Sequence, residues 1–266
     1  MQYNESQRMR PTGAKTKGGT DMKVIVAKDY DEMSEIAAKV VEDVVKNKPD
    51  ARLGFATGSS PVGLYHCLAR DCAAGKADFS KANTVNLDEY AGLAPDHPQS
   101  YRRFMNENLF DHINIDKKNT YVAKGTGSLE ENLREFRAVL AAKPIDIQVL
   151  GIGVDGHIGF NEPGRVLCDH AHMETLDEST IDANARFFEH RSDVPRQAFT
   201  MGIGDILRAK KLIMVIPGVN KAEVAKGLLM SDEVDSRNPA TMVKLHPDVT
   251  VVIEKEVADA IGYRAE

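Results

Sequence analysis

Cysteine is scarce: Cys67, Cys72 and Cys168 are the only three in 266 residues, an odd number without the paired spacing of metal ligands. That argues against a zinc-bound or disulfide-stapled scaffold and suits a reducing cytosol. Long apolar runs are missing too, and no signal-peptide core opens the chain, so the expectation is a soluble, cytoplasmic protein with no membrane partner. Internal repeats are absent. So is any excess of basic charge: the formal net charge of -6 argues against a nucleic-acid partner, while leaving room for a small anion held by a local basic cluster.

What the sequence does contain is alternation. Residues 1–21 are polar, rich in Gly, Lys, Arg and Thr, and without periodicity; they are expected to form a disordered leader, either an upstream start or an artificial addition. From residue 22 onward, short apolar runs of strand length alternate with segments of helical spacing. Strands are predicted at 23–27, 52–57, 84–87, 145–150, 211–216 and 249–253. Between them, Met33, Ile36, Ala37, Val40, Val41, Val44 and Val45 share one face of a helix over 30–47. Further helices are predicted over 61–70, 100–109, 128–143 and 221–230, the fourth opened by a Ser128-Leu-Glu-Glu131 capping box. A short helix or turn is expected at 201–209. The stretch 164–195 has weak patterning and is a candidate lid. This order predicts an α/β fold: one domain over 22–266, an open Rossmann-like, mostly parallel sheet with helices on both faces.

The densest chemistry lies at Leu150-Gly-Ile-Gly-Val-Asp155-Gly-His157-Ile-Gly-Phe-Asn-Glu162-Pro-Gly164. It follows an apolar strand, and in open α/β sheets ligands bind at the carboxyl ends of strands. Asp155 and Glu162 can each orient the imidazole of His157, and a histidine so held can give and take protons near neutral pH. The alternative is a plain surface turn followed by a helix start.

Three further features can complete a site. Thr57-Gly58-Ser59-Ser60 joins a strand to a helix start, where backbone N–H groups, hydroxyls and the helix dipole favour an anion; equally, Ser59 or Ser60 can serve as an ordinary N-cap. Lys221 stands at a second strand-to-helix turn and Arg186 within Asn184-Ala-Arg-Phe-Phe188, each a surface charge by default. Asp88 ends a strand and is expected to face the cleft, with Glu89 turned away; a carboxylate capping the next turn is the competing role. His170 and His172, with Asp169 and Glu174, lack the spacing of a zinc site, and no metal is expected there.

Several of these strings occur together in one order. Phe55-Ala-Thr-Gly-Ser-Ser-Pro61, Asn86-Leu-Asp-Glu-Tyr90, His97-Pro-Gln-Ser-Tyr101, Gly153-Val-Asp-Gly-His-Ile-Gly-Phe-Asn-Glu-Pro163, Asn184-Ala-Arg-Phe-Phe188 and Asn220-Lys-Ala222 resemble the glucosamine-6-phosphate deaminase family over roughly residues 22–254. The resemblance implies conversion of D-glucosamine 6-phosphate and water to D-fructose 6-phosphate and ammonia, with neither metal nor organic cofactor. By the same resemblance Asp88 shuttles a proton between C2 and C1, and His157, set by Asp155 and Glu162, opens the sugar ring. Thr57, Gly58, Ser59, Ser60, Arg186 and Lys221 would hold the phosphate.

One stretch departs from the family pattern. Effector-activated members carry basic residues after the Asn-Glu-Pro turn, whereas Arg165-Val-Leu-Cys-Asp-His-Ala-His-Met-Glu174 is acidic or weakly basic beyond Arg165. A monomer or a homo-oligomer both remain open, and an effector-activated hexamer is the less expected state. Two rival functions share the fold. A 6-phosphogluconolactonase would continue the Gly-x-Asp-Gly-His string differently from Ile158-Gly-Phe-Asn-Glu-Pro163, and a sugar-phosphate sensor would have no use for four proton-transfer groups.

Overall fold

The computed structural model describes residues 22–186 and 188–264. The leader expected at 1–21 lies outside the described residues. The strands are β1 (Lys23–Ala27), β2 (Arg52–Phe55), β3 (Asn83–Asn86), β4 (Asp88–Tyr90), β5 (Thr120–Tyr121), β6 (Ile147–Leu150), β7 (His172–Thr175), β8 (Gln197–Thr200), β9 (Leu212–Ile216) and β10 (Val249–Glu254). The helices are α1 (Tyr30–Asn47), α2 (Val62–Ala73), α3 (Tyr101–Met105), α4 (Leu129–Ala142), α5 (Glu178–Ala185), α6 (Ile203–Leu207), α7 (Ala222–Leu229) and α8 (Lys255–Ile261).

Seven strands form one sheet in the order β1-β10-β9-β6-β2-β3-β5, with every neighbouring pair parallel. Burial explains their composition: a strand covered on both faces must be apolar at successive positions, and β9 is buried throughout. Alternate side chains then serve opposite cores. Ile213 and Val215 pack with Met33, Val41, Leu64 and Leu68 of α1 and α2. Leu212, Met214 and Ile216 pack with Phe136, Leu228 and Val257 of α4, α7 and α8. Each large apolar side chain so buried contributes roughly 1.5–3 kcal/mol. The parallel sheet with helices on both faces is therefore the architecture the sequence predicted.

Local signals set the helix starts. Asp29 accepts from the Glu32 N–H ahead of α1, and Ser128 accepts from the Glu131 N–H ahead of α4. The expected third strand, by contrast, does not run on into Asp88. The chain breaks after Asn86, and Asp88 opens a separate strand in a small antiparallel sheet ordered β4-β8-β7. The weakly patterned stretch 164–195 holds β7 and α5. Both elements are short, and β7 alternates between half-buried and exposed positions, so neither left a strong apolar period in the sequence. The helix expected over 100–109 is α3 followed by a π-helical turn, Asn106–Phe110.

Candidate active site

Three chain segments meet at the carboxyl ends of β2, β3 and β6. After β6 the chain turns back on itself: the Gly153 N–H donates to the His157 carbonyl, and the His157 N–H donates to Asp155 Oδ1. The imidazole lies flat against Gly153, where a Cβ would come within 2.3 Å of the ring; no other residue fits. Gly159, at φ +60°, brings the loop against β4 and β8, so that its missing side chain leaves 3.5 Å to Asp88 Oδ2 and 2.8 Å to Thr200 Oγ1. Phe160 N–H donates to Thr200 Oγ1, and the Asn161 amide donates to the carbonyls of Ile158 and Met201. Thus the loop is pinned to the small sheet that carries Asp88.

Four titratable groups converge there. His157 Nδ1 is 2.7 Å from Asp155 Oδ1 and 3.8 Å from Glu162 Oε2. Neither approach is along the ring N–H direction, so Nδ1 makes close charge contacts rather than a well-directed hydrogen bond. Burial disfavours the imidazolium, but Asp155, then Glu162 and Asp88, outweigh burial and hold the His157 pKa above its ordinary value. Burial also works against the Asp155 carboxylate, and the His157 contact overcomes it, bringing Asp155 down to about 2. Glu162 goes the other way, its burial only partly offset by His157 and by the hydroxyl of Thr180, so its pKa is raised.

Asp88 is the most perturbed member. Its carboxyl is buried, Oδ1 has no hydrogen-bond partner, and desolvation plus the Glu89 charge push its pKa up to about 8 against the pull of His157. Its neighbour Glu89 is equally buried but fully engaged, accepting from the N–H groups of Tyr90, Tyr101 and Arg102 and from Ser100 Oγ. Glu89 therefore caps α3, and of the two adjacent carboxylates Asp88 is the one left facing the loop. A buried carboxyl of this kind, neutral or charged according to what lies beside it, is suited to proton transfer.

The turn Thr57-Gly58-Ser59-Ser60 forms the second half. α2 begins at Pro61 without any side-chain cap, so neither serine is used as the N-cap the sequence allowed. Ser60 Oγ accepts instead from Lys221 Nζ at 2.7 Å, across 161 residues of chain. Tyr30 Oη fixes the turn from below, donating to the Ser59 and Ser60 carbonyls and accepting from the Gly63 N–H. Burial brings the Lys221 pKa down to about 8, with Glu254 opposing. No acidic residue lies in the first turn of α2, which leaves the dipole and Lys221 free to favour an anion. Arg186 lies exposed at the C-terminal end of α5.

Sequence reasoning passed over several residues that shape the site. Thr180 donates to Glu162 Oε1 at 2.7 Å. Tyr101, half-buried and with its pKa raised well above the ordinary value by desolvation, sits among Tyr90, Asp88 and Thr57 and stacks on Phe160. No periodicity marks such residues, since each acts through a contact distant in sequence. Among the described residues, Asp155, His157 and Glu162 are also the one group whose donor atoms, all within 4.8 Å of one another, could hold a metal ion.

A parallel α/β sheet with a strand-to-helix turn beside a lysine and a carboxylate–histidine cluster at its strand ends belongs to the class of open α/β proteins that bind small anionic ligands at their strand ends. The chain belongs to the family of glucosamine-6-phosphate isomerases and 6-phosphogluconolactonases, whose model matches residues 28–252. Within it, a glucosamine-6-phosphate deaminase from Clostridium perfringens is 50% identical over 242 residues, covering 89% of this chain and 98% of the relative. The solved structure of a monomeric glucosamine-6-phosphate deaminase superposes with a TM-score of 0.86 at 43% identity, over 90% of this chain and 100% of that one. A 6-phosphogluconolactonase from Trypanosoma cruzi shares the fold, with a TM-score of 0.73 at 17% identity over 91% of this chain and 97% of that one.

Proposed function

We propose that this chain converts D-glucosamine 6-phosphate and water to D-fructose 6-phosphate and ammonia. The observation that carries the reading is Asp88: a buried carboxyl with a free oxygen, poised at about 8, beside the His157 relay and across from an anion turn. Relatives named glucosamine-6-phosphate deaminase at 43–50% identity support the same activity over the lactonase and the sensor.

The phosphate binds Thr57, Gly58, Ser59 and Ser60, with Lys221 and, from the end of α5, Arg186 supplying charge-assisted hydrogen bonds. That anchor fixes C1 and C2 at the other end of the sugar and reduces the entropy cost of reaction there. His157, polarised by Asp155 and Glu162, moves the proton from the anomeric hydroxyl to the ring oxygen, which opens the ring. The substrate ammonium then lies near Asp88 and favours its carboxylate. Asp88 removes the C2 proton, and the electrons pass into a C1–C2 double bond as the C1 aldehyde oxygen takes a proton from the substrate ammonium, which leaves an enolamine. Return of the proton from Asp88 to C1 leaves an imine at C2. Water adds to C2, the nitrogen is protonated, and ammonia departs as the C2 ketone forms, so atoms balance with one water consumed.

The test is direct. Ammonia release from glucosamine 6-phosphate is measured beside hydrolysis of 6-phosphogluconolactone, with Asp88→Asn and His157→Gln as controls. The reading expects ammonia formation that falls at least about a hundredfold in both variants. Lactone hydrolysis without ammonia would overturn it.

A further inference from the structure

Glu162 is held by two partners from opposite directions. Its Oε2 faces His157 Nδ1 at 3.8 Å and has no hydrogen bond, while its Oε1 accepts from Thr180 Oγ1 at 2.7 Å. Thr180 is buried in the first turn of α5, and α5 is not part of the loop that carries the relay. The sequence neighbours of Glu162 do not hold the carboxylate: Asn161 directs its amide to the Ile158 and Met201 carbonyls, and Pro163 and Gly164 offer no side-chain donor. Removing the Thr180 hydroxyl would leave a buried carboxylate with its rotamer unfixed and one more oxygen unsatisfied.

The same helix is seated by packing. Ile181 and Leu176, with Ala185 and Phe188 against them, join Tyr90, Leu93 and Phe160 in a small core of their own. Tyr90 belongs to the strand that carries Asp88, and Phe160 to the loop that carries His157 and Glu162. Phe188 also meets Tyr90 edge-on, with ring centroids 6.2 Å apart. α5 thereby touches both halves of the proton-transfer machinery through apolar contacts, and Thr180 adds a hydrogen bond to Glu162, a titrating group of the relay.

We propose that Thr180 is a positioning residue: its hydroxyl fixes Glu162 so that the second carboxylate oxygen faces His157, and so makes relay geometry depend on α5 being seated over the site. This rests on the reading of His157 as the ring-opening group. The charged groups around Glu162 are His157 and Asp155 on its own loop and Asp177 just ahead of α5; around His157 they are Asp155, Glu162 and, from β4, Asp88. Of these His157 favours the Glu162 carboxylate, and so does the Thr180 hydroxyl. Without the hydroxyl, Glu162 takes up a proton more readily and gives His157 less support. The imidazole then titrates at lower pH.

The experiment uses the whole chain in three forms: wild type, Thr180→Val, which keeps shape and loses the donor, and Thr180→Ser, which restores the donor. The first readout is the His157 imidazole titration followed by NMR in the substrate-free protein, with its signals assigned by their loss in His157→Gln. The second is kcat and KM for ammonia release. The proposal expects Thr180→Val to lower the His157 pKa and to reduce kcat about tenfold with KM changed less than about threefold. Thr180→Ser should restore both, and Thr180→Val added to Glu162→Gln should change nothing further. An unmoved His157 titration in Thr180→Val overturns the proposal, as does a Ser variant no better than Val. A change confined to KM would reduce Thr180 to a packing residue and also overturn it. If Thr180→Val does not fold, Thr180→Ala, smaller and without the methyl contact, is read by the same titration. Because that titration needs no turnover, a wild-type protein that releases no ammonia would sink the functional reading while leaving the contact itself decided.

Discussion

Asp88→Asn should make the protein less active and, above neutral pH, more stable. The ordinary carboxyl pKa of 3.8 rises to about 8 in the fold, chiefly because the group is desolvated. Between those values the unfolded chain has released the proton and the folded chain still holds it, so folding loses stability as pH rises through the window and the loss is complete above about 8. At about 1.4 kcal/mol per pH unit the gap sets a ceiling of roughly 5–6 kcal/mol. Water entering an open cleft and relaxation around the charge reduce that to about 1–3 kcal/mol. For a chain of this size the gain corresponds to a rise in melting temperature of about 3–9 °C. The assay is thermal unfolding of wild type and variant from pH 5 to pH 9. An amide buried in place of the carboxyl carries its own cost at every pH, so the slope is the diagnostic, and the advantage of the variant should grow up to about pH 8 and then level off. A stability difference that does not vary with pH would refute the claim that Asp88 is held neutral by burial.

Other outcomes follow from the same contacts. Lys221→Met should raise KM about ten- to a hundredfold and lower kcat less, because it removes a charge-assisted bond to the phosphate far from C1, and this is checked by steady-state kinetics. A fall in kcat alone would contradict the assignment. N-acetylglucosamine 6-phosphate should not activate the enzyme: the groups that follow the catalytic loop are already matched, His172 to Glu174 at 3.0 Å, His170 to Asp169 at 3.2 Å and Arg208 to Asp169 and Asp205, each at 2.9 Å. A sigmoidal substrate curve made hyperbolic by that compound would refute this. Prolonged dialysis against a chelator should leave ammonia release unchanged, since the relay needs His157 Nδ1 in contact with Asp155 and Glu162, and a metal ion among these donors would displace both contacts; activity lost on chelation and regained with a metal would refute it.

Much of the fold was legible because two-faced burial writes a continuous apolar run. The segments that became β6, β9 and β10 were visible for that reason, and the one-sided periodicity of α1 marked its core face. The small antiparallel sheet was not. β4 is three residues long, and Asp88, Glu89 and Tyr90 within it are buried for unrelated reasons, one facing the loop, one capping α3 and one packing on Phe160. In the site, groups that leave a strand end together were readable: Asp155 and His157 are two residues apart and touch. Lys221 and Ser60 were expected at one anion site, and sheet order brings their two turns together, but the direct hydrogen bond between them left no signal in the sequence. Thr180 left no signal at all, because its meaning lies in a single hydroxyl contact across 18 residues.

The proton path itself offers the sharpest test of the account. Glucosamine 6-phosphate carrying deuterium at C2 is turned over in ordinary water, and unlabelled substrate in D2O, with the fructose 6-phosphate from each read at C1 by NMR. A single carboxylate working one face of the open chain predicts that whatever deuterium reaches C1, from C2 or from solvent, occupies the same one of the two C1 positions. It also predicts that Asp88→Asn delivers label at no more than about a hundredth of the wild-type rate. Label shared between both positions, or product formed by Asp88→Asn at the wild-type rate, would contradict it.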